Sequence, residues 1–159
     1  MRIDWTSKFL SNYYTLYVAG QRMGRMDKNA FSAVSEVEWN GDRYEFKRDS
    51  IFQSSQTLYD GDENPLLHID FQFLNSKATI RYGDRIFTWK FTNIFGSKWI
   101  LESNGELIAH GKSNMTSGQI EFLKSQQLPV FLIFSAFQSF YIHSVTVFAF
   151  LLFIVVIIL

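Results

Sequence analysis

The chain has no cysteine, only two prolines and no net charge. The missing thiols exclude disulfides and thiolate metal sites, which suits a reducing compartment. Fifteen basic residues cancel fifteen acidic ones, so no global field recruits nucleic acid or an anionic surface, and any such binding has to come from a local patch. The opening residues, MRIDWTSKFL, contain no apolar core of the kind a cleaved secretory leader needs. Also missing are H-x-x-x-H and H-E-x-x-H spacings, a G-x-x-x-x-G-K-[ST] phosphate cradle, a G-x-G-x-x-G run and a G-x-S-x-G elbow. No catalytic residue, metal ligand set or cofactor is therefore expected, and the chain does not read as an enzyme.

Helical periodicity is hard to find before residue 112. Instead the pattern is period two broken by turn residues, which is how an antiparallel meander reads. Aromatics at 18%, with 17 Phe, fit strands or membrane better than a soluble helical domain. The surest hairpin is 31–39 returning as 42–49 through Asn40-Gly41, a dipeptide suited to the positive φ angles of a type I′ turn. Leu67, Ile69, Phe71 and Phe73 alternate with His68, Asp70 and Gln72. Ala78, Ile80 and Tyr82 oppose Lys77, Thr79 and Arg81, and Phe87, Trp89 and Phe91 share a face. Further turns are expected at Gly20-Gln21, at Gly83-Asp84 (type II′) and at Asn104-Gly105, giving about ten short strands. Residues 113–125 read either as a linker or as a last strand at 119–123.

From residue 128 to residue 159 there is no Lys, Arg, Asp or Glu. As one helix this stretch is about 48 Å long, more than the roughly 30 Å of bilayer hydrocarbon. A barrel of ten or more strands is too wide for its own side chains to fill, and 128–142, apolar around most of its circumference, is the natural filling. Gln138, Ser139, Tyr141 and His143 mark a more polar zone, beyond which 145–159 is apolar apart from Thr146. The fold class expected is mainly β: an antiparallel meander closed into a barrel around a hydrophobic C-terminal helix, with a further apolar membrane segment. The domains are 1–143, with its core helix at about 128–142, and 144–159.

The cadence of short strands with turns such as Trp39-Asn40-Gly41-Asp42 and Ser103-Asn104-Gly105-Glu106, ending in a hydrophobic helix, resembles the Tubby C-terminal, phospholipid scramblase and LURP-one-related superfamily. The resemblance covers about residues 1–142 and implies a β-barrel enclosing a helix that can be mistaken for a membrane span. It is architectural, and no functional motif of the group is present. Residues 144–159 depart from it, because an enclosed helix does not need them.

Arg43, Lys47, Lys77, Arg81 and Lys90 occupy outward positions and are the candidate lipid-binding stripe, worth about 1 kcal/mol per residue on an anionic leaflet. The competing reading is a solvated sheet face neutralised by Glu45, Asp70 and Glu102. Asp60-Gly61-Asp62-Glu63-Asn64 starts like a calcium loop, but Pro65 stands where its Gly belongs and Phe71 where its bidentate Glu belongs, so a plain hairpin turn is expected. His68, His110 and His143 are too scattered for a ligand set, and the four Trp fit a core better than a stacking platform for nucleic acid. The functional expectation is a non-enzymatic, membrane-associated barrel binding lipid or a membrane partner, with its β domain on the cytoplasmic side. The alternatives are a tail-anchored protein-interaction module and a small-ligand barrel with an unfilled lumen.

Overall fold

The period-two alternation of the sequence becomes a row of strands, each with one face turned inward. A computed structural model describes residues 1–8, 11–28, 32–48, 54–114, 116–123 and 129–158, the helical side chains being described through residue 146. The strands are β1 (Arg2–Thr6), β2 (Tyr13–Val18), β3 (Gln21–Asp27), β4 (Val34–Trp39), β5 (Asp42–Lys47) and β6 (Ser55–Asp60), followed by β7 (Pro65–Gln72), β8 (Lys77–Tyr82), β9 (Arg85–Phe91), β10 (Lys98–Ser103), β11 (Glu106–Ser113) and β12 (Ser117–Phe122). A single long helix, α1 (Phe131–Ile158), follows. Among the described residues, neighbours in sequence are neighbours in the sheet, and β1 pairs with both β2 and β12, closing a twelve-stranded antiparallel barrel. The polar stretch after residue 113 is thus a strand: Ile120 and Phe122 of β12 point inward. The Met1 amino group donates to the Phe122 carbonyl at 3.0 Å, securing the closing seam.

Turn chemistry sets the hairpins. Asn40 and Gly41 have φ of 51° and 92°, and Asn104 and Gly105 have 53° and 77°, the positive pairs that type I′ turns require. Gly83 has φ of 54°, as the first central residue of a type II′ turn needs. At the β2–β3 connection the turn falls one residue earlier than the sequence suggests: Ala19 (φ 50°) and Gly20 (φ 80°) make it, because β2 and β3 pair with Val18 opposite Gln21. These turns, with the β6–β7 turn, lie at one end of the barrel, here called the hairpin end. The other strand-to-strand connections lie at the opposite, open end.

The barrel lumen holds α1. Its residues Leu132, Phe134, Ala136, Gln138 and Ser139 are all fully buried. Phe131 packs on Tyr82 at 5.1 Å and Phe134 on Trp39 and Tyr44 at 5.6 and 5.4 Å, all three partners near the hairpin end. Phe137 meets Trp5 and Tyr14, and His143 meets Trp89, Phe71 and Phe91 near the open end. The helix therefore enters at the hairpin end and runs toward the open end. A contact between Phe134 and Trp89 does not form, because these residues sit at opposite ends of the lumen.

The more polar zone of the helix lies within the lumen. Gln138, Ser139 and His143 lie inside the barrel, where local hydrogen bonds satisfy most of their polar atoms. Ser135 and Ser139 hydroxyls donate to the carbonyls of Leu132 and Ser135 at 2.9 and 2.8 Å. His143 Nδ1 pairs with the Ser139 carbonyl at 2.8 Å, and Gln138 Nε2 donates across the lumen to Gln56 Oε1 at 2.9 Å. The helix has no break at residue 143: it is continuous for 28 residues, about 42 Å. Strands of five to eight residues, tilted as barrel strands are, span much less along the axis. Among the described residues no helix is long and apolar enough to cross a membrane.

Candidate functional site: the open end of the barrel

Exposed loops normally carry polar residues, and the open end departs from that. The three most exposed large apolar side chains among the described residues are Leu74 (101%), Ile94 (92%) and Phe95 (85%), and all three project from open-end connections. Apolar residues at the hairpin end are about half covered: Met1 at 53%, Ile86 at 54% and Leu123 at 47%. Phe73, beside Leu74, is itself 41% exposed and lies 5.6 Å from the His143 ring.

Both apolar tips are held by the backbone beneath them. In the β9–β10 loop, Asn93 Oδ1 accepts the N–H groups of Ser97 and Lys98 at 3.1 and 2.9 Å, and its Nδ2 donates to Ser97 Oγ at 2.8 Å. Gly96 adopts φ of 63° against the Phe91 ring, where a Cβ would lie 3.3 Å from Phe91 Cζ. With Asn93 and Gly96 turned inward, Ile94 and Phe95 are left on the outside. In the β7–β8 connection a short 3-10 turn (Phe73–Asn75) ends at Ser76 in the left-handed region, and Leu74 stands at its apex. The sequences joining β1 to β2, β3 to β4 and β5 to β6 include Phe9-Leu10, Phe31 and Ile51-Phe52, which lie outside the described residues.

A cleft of about 890 Å³ opens beside α1, between the helix and the β9–β10 loop, lined by Phe91, Ile94, Phe95, Phe140, Tyr141 and Val145 among others. Charge is distributed over both ends, with Arg22, Arg43 and Arg85 beside hairpin-end turns. Asp42, Asp60, Asp62, Glu63, Asp84 and Glu106 lie in or beside hairpin-end turns. Lys8, Lys28, Lys77, Lys98 and Lys112 lie on the open-end margin, with Asp27 among them. The Lys28 ammonium sits 4.9 Å above the Tyr14 ring, and partial burial lowers its pKa from the usual lysine value. Burial, with Tyr141 adding to it, pushes the Tyr14 phenol well above the ordinary tyrosine value, so the Tyr14 ring remains a neutral hydrophobic body at this margin.

The five basic residues expected as a stripe fall into two groups, Lys77 standing opposite Lys90 with Arg81 further along the same strand, and Arg43 and Lys47 lying apart from them. Arg43 and Lys47 are on β5, Lys77 and Arg81 on β8, and Lys90 on β9, so β6 and β7 separate the groups. Three are in ion pairs: Lys47 with Glu45 and Glu63 at 3.2 and 3.0 Å, Lys90 with Glu102 at 2.7 Å, and Arg81 with Asp70. His68 bridges Thr57 and Asp70, and His110 faces Glu121 at 3.5 Å. Among the described residues no group of three metal-ligating side chains occurs. Asp60 turns its carboxylate onto the N–H groups of Asp62 and Asn64 at 3.0 and 2.8 Å, and these bonds hold its pKa below the usual carboxylate value. That is the work of a hairpin-turn carboxylate.

Sequence reasoning missed the tips. The signal available was their position: Leu74 next to Asn75-Ser76, and Ile94-Phe95 before Gly96, are apolar where a turn is otherwise polar.

The fold defines a class, the antiparallel β-barrel filled by its own C-terminal helix. No family model matches the chain, and no curated protein matches it. Among solved structures it is similar to an Arabidopsis thaliana protein, AT5G01750, with a TM-score of 0.61 and 11% identity over 91% of each chain. At that identity the likeness is one of fold.

Proposed function

We propose that this is a non-enzymatic, membrane-associated barrel that docks on lipid through its open end. The observation that carries the reading is the coincidence at one end of the most exposed apolar side chains, Leu74, Ile94 and Phe95, with the end toward which a charge-free helix runs. Water penalises exposed apolar tips, and a bilayer interface rewards their burial. In this reading 144–158 continues into the lipid as a monotopic anchor. At about 22 Å it is shorter than the roughly 30 Å hydrocarbon layer. The lysines of the open margin favour an anionic leaflet and, by the preference of basic residues for the cytoplasmic side, a β domain facing the cytoplasm. Docking thus moves from the barrel wall, where Lys47, Arg81 and Lys90 are neutralised by carboxylates, to the rim. The filled lumen argues against a lipocalin-like carrier. We also propose kinship with the Tubby C-terminal, scramblase and LURP-one-related group, supported by the helix-filled barrel and by the fold-level neighbour.

The test is flotation of the full chain with vesicles of neutral lipid and of neutral lipid containing an anionic phospholipid. The chain is expected to float, more so with the anionic lipid, and Leu74→Asp with Ile94→Asp and Phe95→Asp should weaken it. Flotation that ignores these substitutions would favour a plain tail-anchored interaction module.

A further inference from the structure

Two features of the open end lie side by side without an evident structural purpose. The first is the apolar cleft between α1 and the β9–β10 loop. At about 890 Å³ it falls within the roughly 300–1,000 Å³ of small-ligand sites. The second is a shallower groove just outside the rim, reached by Lys98 and Lys112. Cleft and groove share Trp5, Ser97, Ser113 and Asn114, so they meet across the barrel edge.

Lys98 and Lys112 stand directly opposite each other on β10 and β11. Like charges at such a cross-strand position repel, and among the described residues neither lysine has a carboxylate partner. The nearby Asp4 carboxylate, which also lines the groove, is engaged by Arg2 at 3.0 Å. At the shared edge the Ser113 hydroxyl is shielded from solvent and has no hydrogen-bond partner among the described residues, although its N–H donates to the Ser97 carbonyl at 2.8 Å.

We infer that this cleft and groove together hold one anionic single-chain lipid, its aliphatic tail beside Phe91, Phe140 and Val145 and its head on Lys98 and Lys112. An anion would relieve the repulsion between the two ammonium groups, and the tail would cover apolar surface that the barrel leaves open. The inference rests on the open end being the lipid-facing one, and it names the ligand chemistry of that end.

The full chain, held in amphipol, is titrated with 9,10-dibromostearate, whose bromines quench indole fluorescence on contact. Trp5 lines both compartments, whereas Trp39 lies near the hairpin end. Quenching should saturate at one ligand per chain and weaken in Trp5→Phe, the remainder coming from Trp89, which packs on the cleft residue Phe91 at 4.8 Å, and from Trp99, which stands opposite Phe91 on the neighbouring strand. The double reversal Lys98→Glu with Lys112→Glu should weaken binding about ten-fold or more. A brominated lysophosphatidic acid run in parallel tells the two head groups apart, the tighter one naming the source. Quenching that never saturates, or that is matched by the uncharged dibromostearyl alcohol, overturns the inference. Vesicle flotation of the full chain, run separately, keeps the two proposals apart. Flotation without saturable quenching removes the lipid-cleft inference alone, and saturable quenching without flotation removes the docking proposal alone.

Discussion

A chain ending at Gln127 should fail to fold, because it removes the contents of the barrel. Six large apolar side chains of α1, Leu132, Ile133, Phe134, Phe137, Phe140 and Ile142, are each no more than 6% exposed. At about 1.5 to 3 kcal/mol per side chain, their burial contributes on the order of 9 to 18 kcal/mol. A compact unfolded state lowers that by roughly 10 to 40%. What remains is as large as the 5 to 15 kcal/mol net stability typical of a whole domain, before counting the inward faces of Trp5, Trp89 and Phe46 left without partners. A companion chain ending at Thr146 keeps all six residues, Gln138 and His143, and should keep the fold. Thermal unfolding followed by near-ultraviolet circular dichroism, with size-exclusion chromatography, reads both. A monomeric, cooperatively melting 1–127 fragment would refute the helix as core. Loss of folding in the 1–146 chain would show that the stabilising part of α1 lies beyond the described core contacts.

Three further outcomes follow from the geometry. Ala19 pays for a left-handed φ of 50° that Asn tolerates at the equivalent positions 40 and 104, so Ala19→Asn should raise stability by about 0.5 to 1 kcal/mol in chemical denaturation. Gln138→Leu leaves the buried Gln56 amide without its partner and should cost about 1 to 3 kcal/mol, while adding Gln56→Leu should recover most of it; strictly additive losses would show that the pair is not coupled. Burial holds the His143 imidazole below its ordinary pKa of 6.5, against the opposing effect of its hydrogen bond to the Ser139 carbonyl. The unfolded chain therefore takes up a proton that the folded chain refuses, and stability falls as pH drops below 6.5, by at most about 1.4 kcal/mol per pH unit from this group. His143→Gln should flatten the acid limb of a stability profile relative to the unmodified chain.

Local chemistry was the most legible part of the sequence. Asn-Gly at 40–41 and 104–105 specified the turn conformation outright, and the alternation through Leu67, Ile69 and Phe71 specified which face is inward, because both depend on a few adjacent residues. The lumen helix was legible through a mismatch of length with the bilayer. What depended on register was not. The β2–β3 turn moved to Ala19-Gly20 because pairing Val18 with Gln21 outweighed the better turn propensity of the neighbouring dipeptide. Gln138, Ser139 and His143 read as a polar zone in one dimension, but that their Nε2, Oγ and Nδ1 atoms are met by Gln56 and by helix carbonyls could not be read there. The five outward basic residues alternate correctly, but only strand order separates β5 from β8 and only cross-strand neighbours place Glu102 and Asp70 against Lys90 and Arg81. The open-end tips carry no periodic signal at all, since loop projection is a property of closure.

The absence of cysteine makes the central claim open to a direct measurement. Single cysteines placed by Leu74→Cys, Phe95→Cys and Asp62→Cys, each carrying an environment-sensitive nitrobenzoxadiazole label, report on the open end twice and on the hairpin end once. On addition of anionic vesicles, the labels at 74 and 95 should brighten, shift to the blue and be quenched by shallow spin-labelled lipid, while the label at 62 stays unchanged. A response at 62 equal to or larger than those at 74 and 95 would contradict docking through the open end.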